Sequence, residues 1–151
     1  MQKIVVIGSD HAGFSMKVAL IHQLEQQGFC VEDKGTYSEA SVDFSPIAQV
    51  VAETVAADDS KRGILVCGTG IGMSIMANKV PGIRASLVHD LFSAKATREH
   101  NNANVLCMGA RVISAAMGCE IASVWLHTEF LGGKHGRRIQ YIADYEANKS
   151  K

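Results

Sequence analysis

Short runs of β-branched and other apolar residues alternate along the chain with longer stretches in which apolar positions return every three or four residues. The runs occupy positions 4–7, 30–33, 63–67, 84–88 and 104–108, and such alternation is the pattern of βαβ units around a parallel sheet. Between the first two runs Phe14, Val18, Ile21 and Leu24 recur at helical steps, and Gly28 supplies a stop. Ser45-Pro46 reads as a capping residue followed by proline at the first helical position, with Ile47, Val50, Val51 and Val55 as the apolar stripe behind it. Residues 71–80 predict a short helix ended by Pro81-Gly82, and 91–99 predict another. Residues 114–126 predict a helix carrying Ile121, Val124 and Trp125, and 136–148 a last one. No repeat, low-complexity tract or linker interrupts the pattern. The expectation is one doubly wound α/β domain over residues 1–151, with a five-stranded parallel sheet and last helices free to reach over a neighbour.

Composition adds limits. With 151 residues and 47% hydrophobic content the chain suits one sizeable core. Its 15 Lys+Arg balance 15 Asp+Glu, which argues against the broad positive field used to bind nucleic acid or anionic membrane. Any anion must therefore be held by a local cluster. Cys30, Cys67, Cys107 and Cys119 sit in or beside apolar runs and form no C-x-x-C pair, so they read as reduced thiols, with neither a disulfide framework nor a zinc knuckle. The first apolar run breaks at Gly8-Ser9-Asp10-His11, too early for a signal peptide or a membrane span, which points to the cytoplasm.

In doubly wound sheets ligands sit outside the carboxyl ends of the strands, and four polar or glycine-rich segments draw attention there. Gly8-Ser9-Asp10-His11-Ala12-Gly13 sets a carboxylate beside an imidazole. It reads equally as a helix cap next to a surface histidine and as an acid–base pair. Cys67-Gly68-Thr69-Gly70-Ile71-Gly72 leaves backbone N–H groups uncovered at a helix start, a ready site for a phosphate or a developing oxyanion. It lacks the Gly-Lys-Ser/Thr ending of a P-loop and the glycine spacing of a dinucleotide fingerprint. Met73 stands where a cysteine phosphatase would need arginine. What remains is a thiol at the mouth of an anion-binding turn, suited to act as a base near neutral pH. Cys30, Cys107 and Cys119 read instead as buried small hydrophobes. Arg98-Glu99-His100-Asn101-Asn102-Ala103-Asn104 is a polar stretch that brings His100 towards the fifth strand, and Arg111 puts a cation beyond it. Gly132-Gly133-Lys134-His135-Gly136-Arg137-Arg138 reads as a solvated helix start or as a basic cluster holding a phosphate.

Taken together, these motifs resemble the ribose-5-phosphate isomerase B family, which includes allose-6-phosphate and galactose-6-phosphate isomerase relatives. The likeness also draws on Asp33-Lys34-Gly35-Thr36, Ala77-Asn78-Lys79, Gly82-Ile83-Arg84-Ala85 and Gly109-Ala110-Arg111, so it runs nearly the whole chain. It implies a Rossmann-like three-layer α/β/α sandwich, acting as a homodimer or dimer of dimers with shared active sites. It further implies interconversion of ribose 5-phosphate and ribulose 5-phosphate through an enediolate, without metal or cofactor. By resemblance, Cys67 is the base, Thr69 assists proton transfer, and the backbone of Gly68, Gly70, Ile71 and Gly72 holds the enediolate. His100 with Asp10 opens the sugar ring and Asn101 orients it. His11, Lys134 and Arg138 bind phosphate, with Arg111 a contribution from the partner subunit.

One branch of the family has a glutamate base where this chain has Ile71, so the cysteine branch fits better. Three departures stand out. Lys134 occupies a position commonly arginine, replacing a bidentate fork by a point charge. Phe44 stands where tyrosine is common, and Ser45-Pro46 shifts the usual proline by one residue. The first two leave a six-carbon sugar phosphate as an alternative substrate. A non-catalytic phosphosugar-binding protein is the reading from another class. The galactose-6-phosphate relatives divide their catalytic residues between two different subunits, whereas this one chain carries the full set, which favours a homo-oligomer.

Overall fold

The computed structural model describes residues 3–149. Five parallel strands form one sheet: β1 (Ile4–Ser9), β2 (Cys30–Asp33), β3 (Lys61–Cys67), β4 (Ala85–Leu87) and β5 (Val105–Gly109), in the order β2-β1-β3-β5-β4. Six helices connect or follow them: α1 (Phe14–Gln26), α2 (Phe44–Ala56), α3 (Ile71–Ala77), α4 (Leu91–Asn101), α5 (Ala115–Leu126) and α6 (Lys134–Lys149).

Alternate strand residues face opposite layers. Val5, Ile7, Ile64, Val66, Leu106 and Met108 pack on Leu20 of α1, Ala94 of α4, and Ile121 and Trp125 of α5. Val6, Leu65, Cys67, Val105 and Cys107 pack on Val51 and Val55 of α2 and on Met73 and Ala77 of α3. Both faces are covered, which is why the strands read as nearly continuous apolar runs. The result is the Rossmann-like α/β/α sandwich. The chain winds to β2 on one side of β1 and to β3 on the other, so a crevice opens between the carboxyl ends of β1 and β3, where Ser9 pairs in register with Val66.

The differences from expectation are local. On α1 the buried face is Met16, Lys17, Leu20 and Leu24, and Val18 is half exposed. An ionic partner decides this: the Lys17 ammonium, 1% exposed, reaches Asp33 at 2.6 Å and the Thr36 carbonyl at 2.5 Å. Helix α2 begins at Phe44 with Asp43 at the cap position, so Ser45 and Pro46 lie inside the first turn and Ser45 caps nothing. Val50 points outward, and Ala48 and Ala52 fill the stripe instead. Helix α3 stops at Ala77, and α4 extends to Asn101. Cys30 corrects the packing reading: it opens the edge strand β2 and is exposed, whereas Cys107 is buried and Cys119 half-buried against the core. Among the described residues no helix is long and apolar enough to cross a membrane.

Candidate active site

The carboxyl ends of β1, β3 and β5 meet around Cys67. Strand alternation turns this thiol towards α3, and it is 5% exposed. Its sulfur accepts the Gly70 N–H at 3.1 Å, while the Thr69 hydroxyl accepts the Ile71 N–H at 3.2 Å. Two amides expected to face an anion are thus turned onto the two side chains expected to do chemistry. The turn needs glycine at position 70, where φ is +77° and a Cβ would stand 2.6 Å from Leu87 Cδ1 and 2.8 Å from the Met108 carbonyl carbon. No side chain caps α3.

Asp10 is buried and accepts the Gly13 N–H at 3.1 Å, closing the turn into α1. His11 uses Nδ1 to accept the Val42 N–H at 3.2 Å, which leaves Nε2 as its other ring nitrogen for a ligand. The Arg111 guanidinium lies over Gly68 of its own chain, where a Cβ would be 3.1 Å from Nη1. The Phe44 ring covers Gly72 so closely that a Cβ there would stand 2.5 Å from Cζ. Asp10, His11, Gly68, Thr69, Gly70, Ile71, Gly72 and Arg111 therefore share one end of the sheet with Cys67.

His100, Asn101, Lys134 and Arg138 lie at the other end. Helix α4 starts near the carboxyl end of β4 and runs back, so His100 and Asn101 sit in its last turn, close to the start of β5. The helix predicted over 91–99 runs two residues further, so His100 is helical and not on a stretch leading into the fifth strand. Its ring stacks on His135 of α6, with centroids 4.5 Å apart. Burial first, and then the neighbouring His100, Lys134 and Arg138 side chains, depress the His135 imidazole below its ordinary range, with Glu99 partly opposing. Asn104, three residues beyond Asn101, accepts the Gly63 N–H at 2.9 Å where β3 begins. Within one chain the two groups are separated by the length of a strand, on the order of 15 Å.

Three features escaped sequence reasoning. The Lys17–Asp33 pair anchors the loop whose Gly35 carbonyl and Thr36 N–H extend the pairing of Ser9, each at 2.7 Å. Lys17 falls four residues after Gly13 and three before Leu20, so helical spacing already put it on the inner face. His89, two residues past β4, accepts the Gly109 N–H on Nε2 at 2.8 Å. Burial lowers its pKa, partly opposed by Asp90. The buried Ser9 hydroxyl has no partner among the described residues. Nor do three His, Cys, Asp or Glu side chains gather there as a metal site would require.

A ribose/galactose isomerase family model matches residues 5–142. The chain belongs to that family. The Bacillus subtilis protein YwlF is 51% identical to this isomerase over 94% of this chain and 96% of its own. The D-erythrulose-4-phosphate isomerase of Pectobacterium atrosepticum is 44% identical over 94% of each. Ribose-5-phosphate isomerase B of Escherichia coli is 39% identical over 98% of this chain and 99% of its own. The Mycoplasma genitalium ribose-5-phosphate isomerase B, solved with bound ribulose 5-phosphate, superposes with a TM-score of 0.93 at 39% identity, covering 95% and 96% of the two chains. Family membership sets aside the non-catalytic reading: the protein is an aldose–ketose isomerase.

Proposed function

We propose that this isomerase interconverts D-ribose 5-phosphate and D-ribulose 5-phosphate at sites assembled from two copies of the chain. The observation that carries the reading is the Cys67 thiol, nearly buried in a glycine turn with the Gly70 N–H on its sulfur and the Thr69 hydroxyl beside it. In the proposed reaction Cys67 removes the C2 proton of the open-chain aldose. The electron pair moves through the C1–C2 bond onto the C1 oxygen, giving an enediolate. Thr69 moves a proton between the two oxygens, and Cys67 returns its own proton to C1. With the Gly70 and Ile71 N–H groups already on Cys67 and Thr69, the remaining donors at the uncapped start of α3 meet the charge where it develops. Ring opening falls to His100 with Asp10, Asn101 orients the sugar, and His11, Arg111, Lys134 and Arg138 take the phosphate.

Asp10 and Cys67 stand at one end of the sheet, whereas His100, Asn101, Lys134 and Arg138 stand at the other. A two-fold dimer that sets one end against the partner's opposite end would unite them. Helix α6 supports this, since it buries no residue within the chain and leaves Tyr141, Ile142 and Tyr145 exposed.

Purified protein should convert ribose 5-phosphate without added metal, and Cys67→Ala should lower kcat about 10²–10⁴-fold while circular dichroism stays unchanged. Full activity in that variant would remove Cys67 from the chemistry. A second substrate reading rests on Lys134, on Phe44 against Gly72 and on the 44% identity to a four-carbon sugar-phosphate isomerase. Comparing kcat/KM across erythrose 4-phosphate, ribose 5-phosphate, allose 6-phosphate and galactose 6-phosphate decides it, and a preference for any but ribose 5-phosphate would replace the first reading.

A further inference from the structure

Opposite the thiol, at the amino ends of β3, β4 and β5, lies a polar cavity of about 410 Å³ lined by Asp59, Lys61, Arg62, Arg84, Asn102 and Asn104. None of the residues assigned above to the sugar phosphate lines it. Its cations differ in how they are used. Lys61 is paired with Glu32 at 2.8 Å. Arg84 donates Nε–H to the Asn102 carbonyl at 2.8 Å and reaches the Gly82 carbonyl at 3.4 Å. Behind the cavity, Arg98 is 3% exposed and bonds to Asn102 Oδ1 at 2.9 Å, to the Ala103 carbonyl at 2.7 Å and to the Thr128 carbonyl at 3.2 Å. The Arg62 side chain is partly buried yet makes no hydrogen bond and no ion pair among the described residues.

Three guanidinium groups close enough to repel one another therefore gather here. Asp59 lines the cavity without forming an ion pair with an arginine among the described residues, and the charges of Asp59, Glu129 and Glu146 offset the repulsion only in part. Desolvation and mutual repulsion push the Arg98 guanidinium down to about 10, so the group stays charged at neutral pH. A partly desolvated fork with its donors unused, next to a second fork, is the arrangement that takes an anion bidentately. The cavity is of the size that holds a small metabolite.

We propose that this cavity is a second anion site that takes a compact phosphorylated metabolite between the guanidinium groups of Arg62 and Arg84. Within one chain it stands apart from the Cys67 turn by the length of β3, which begins beside Arg62 and ends at the thiol.

The test is a titration of the ¹⁵N-labelled full chain with pyrophosphate, following backbone amides at both ends of the sheet. Saturable shifts are expected at Arg84, Asn102 and Asn104, and these should persist in Arg138→Gln. Arg62→Gln should weaken them about tenfold or more. That variant removes no side-chain bond, so the fold and kcat on ribose 5-phosphate should be unchanged; Arg62→Lys should bind with intermediate affinity. Shifts confined to residues 68–72, or equal affinity in Arg62→Gln, would overturn the proposal. A change in oligomeric mass of Arg62→Gln with no response to pyrophosphate would also overturn it, in favour of a contact between chains. Because the readout is binding, failure of the isomerase assay would leave this result standing.

Discussion

The separation of Cys67 from His100 can be tested by mixing two dead enzymes. Cys67→Ala removes the proposed base at the carboxyl end of β3, and His100→Ala removes the proposed ring-opening group in the last turn of α4, about a strand length away. Each substitution should be inactivating alone, by about 10²–10⁴-fold for loss of an acid–base group. The structural cost is small: His100 is exposed, and truncating the Cys67 sulfur costs about 1 kcal/mol. Unfolded together in equal amounts and refolded, the variants should pair at random, so half of the dimers are mixed. In a mixed dimer one site receives a wild-type Cys67 from one chain and a wild-type His100 from the other, and the second site receives neither. The mixture should therefore recover about one quarter of the wild-type rate per chain. The assay is turnover of ribose 5-phosphate, with native mass spectrometry confirming that mixed dimers formed. Mixed dimers with activity no greater than the sum of the parents would refute a shared site and require both groups to act within one chain.

Lys17→Met should destabilise the fold by about 2–3 kcal/mol, read as a lower urea midpoint, because it leaves the Asp33 carboxylate without its 2.6 Å partner. Gly70→Ala should cost about 2 kcal/mol or more and should lower kcat, since the strained Cβ would dislodge the amide held on the Cys67 sulfur. His89 predicts a pH effect: its folded pKa lies below the ordinary 6.5, so the unfolded chain binds the proton more readily. Its contribution is fully present above about pH 6.5 and is lost as pH falls through the folded value. His89→Gln, which keeps an acceptor for the Gly109 N–H, should flatten the fall of the urea midpoint between pH 7 and 5, and an unchanged slope would refute the assignment.

The three central strands were legible because both of their faces are covered, which leaves β1, β3 and β5 as apolar runs with boundaries set by polar turns. Cys67, Asp10 and Arg111 were legible for the same reason, each lying just inside or beyond such a run. What periodicity could not supply was the choice among residues on a helical face. Lys17 displaces Val18 from the core because Asp33 and Thr36 wait for it, and those partners come from a distant strand end. Helix direction hid the place of His100: a helix returning to the start of a parallel strand carries its last turn away from the crevice, however near the next strand is in sequence.

The uneven depth of the four cysteines bears on thiol chemistry. Cys30 is open to solvent at the sheet edge, Cys67 lies 5% exposed beneath its glycine turn, and burial pushes the Cys107 and Cys119 thiols up. An alkylating reagent added to the native enzyme meets Cys30 before any other sulfur, and a label counted there says nothing about turnover. Reagent uptake reports on the deeper sulfurs only in a Cys30→Ser background, where the half-buried Cys119 and the Cys67 thiol beneath its glycine turn are the next to react.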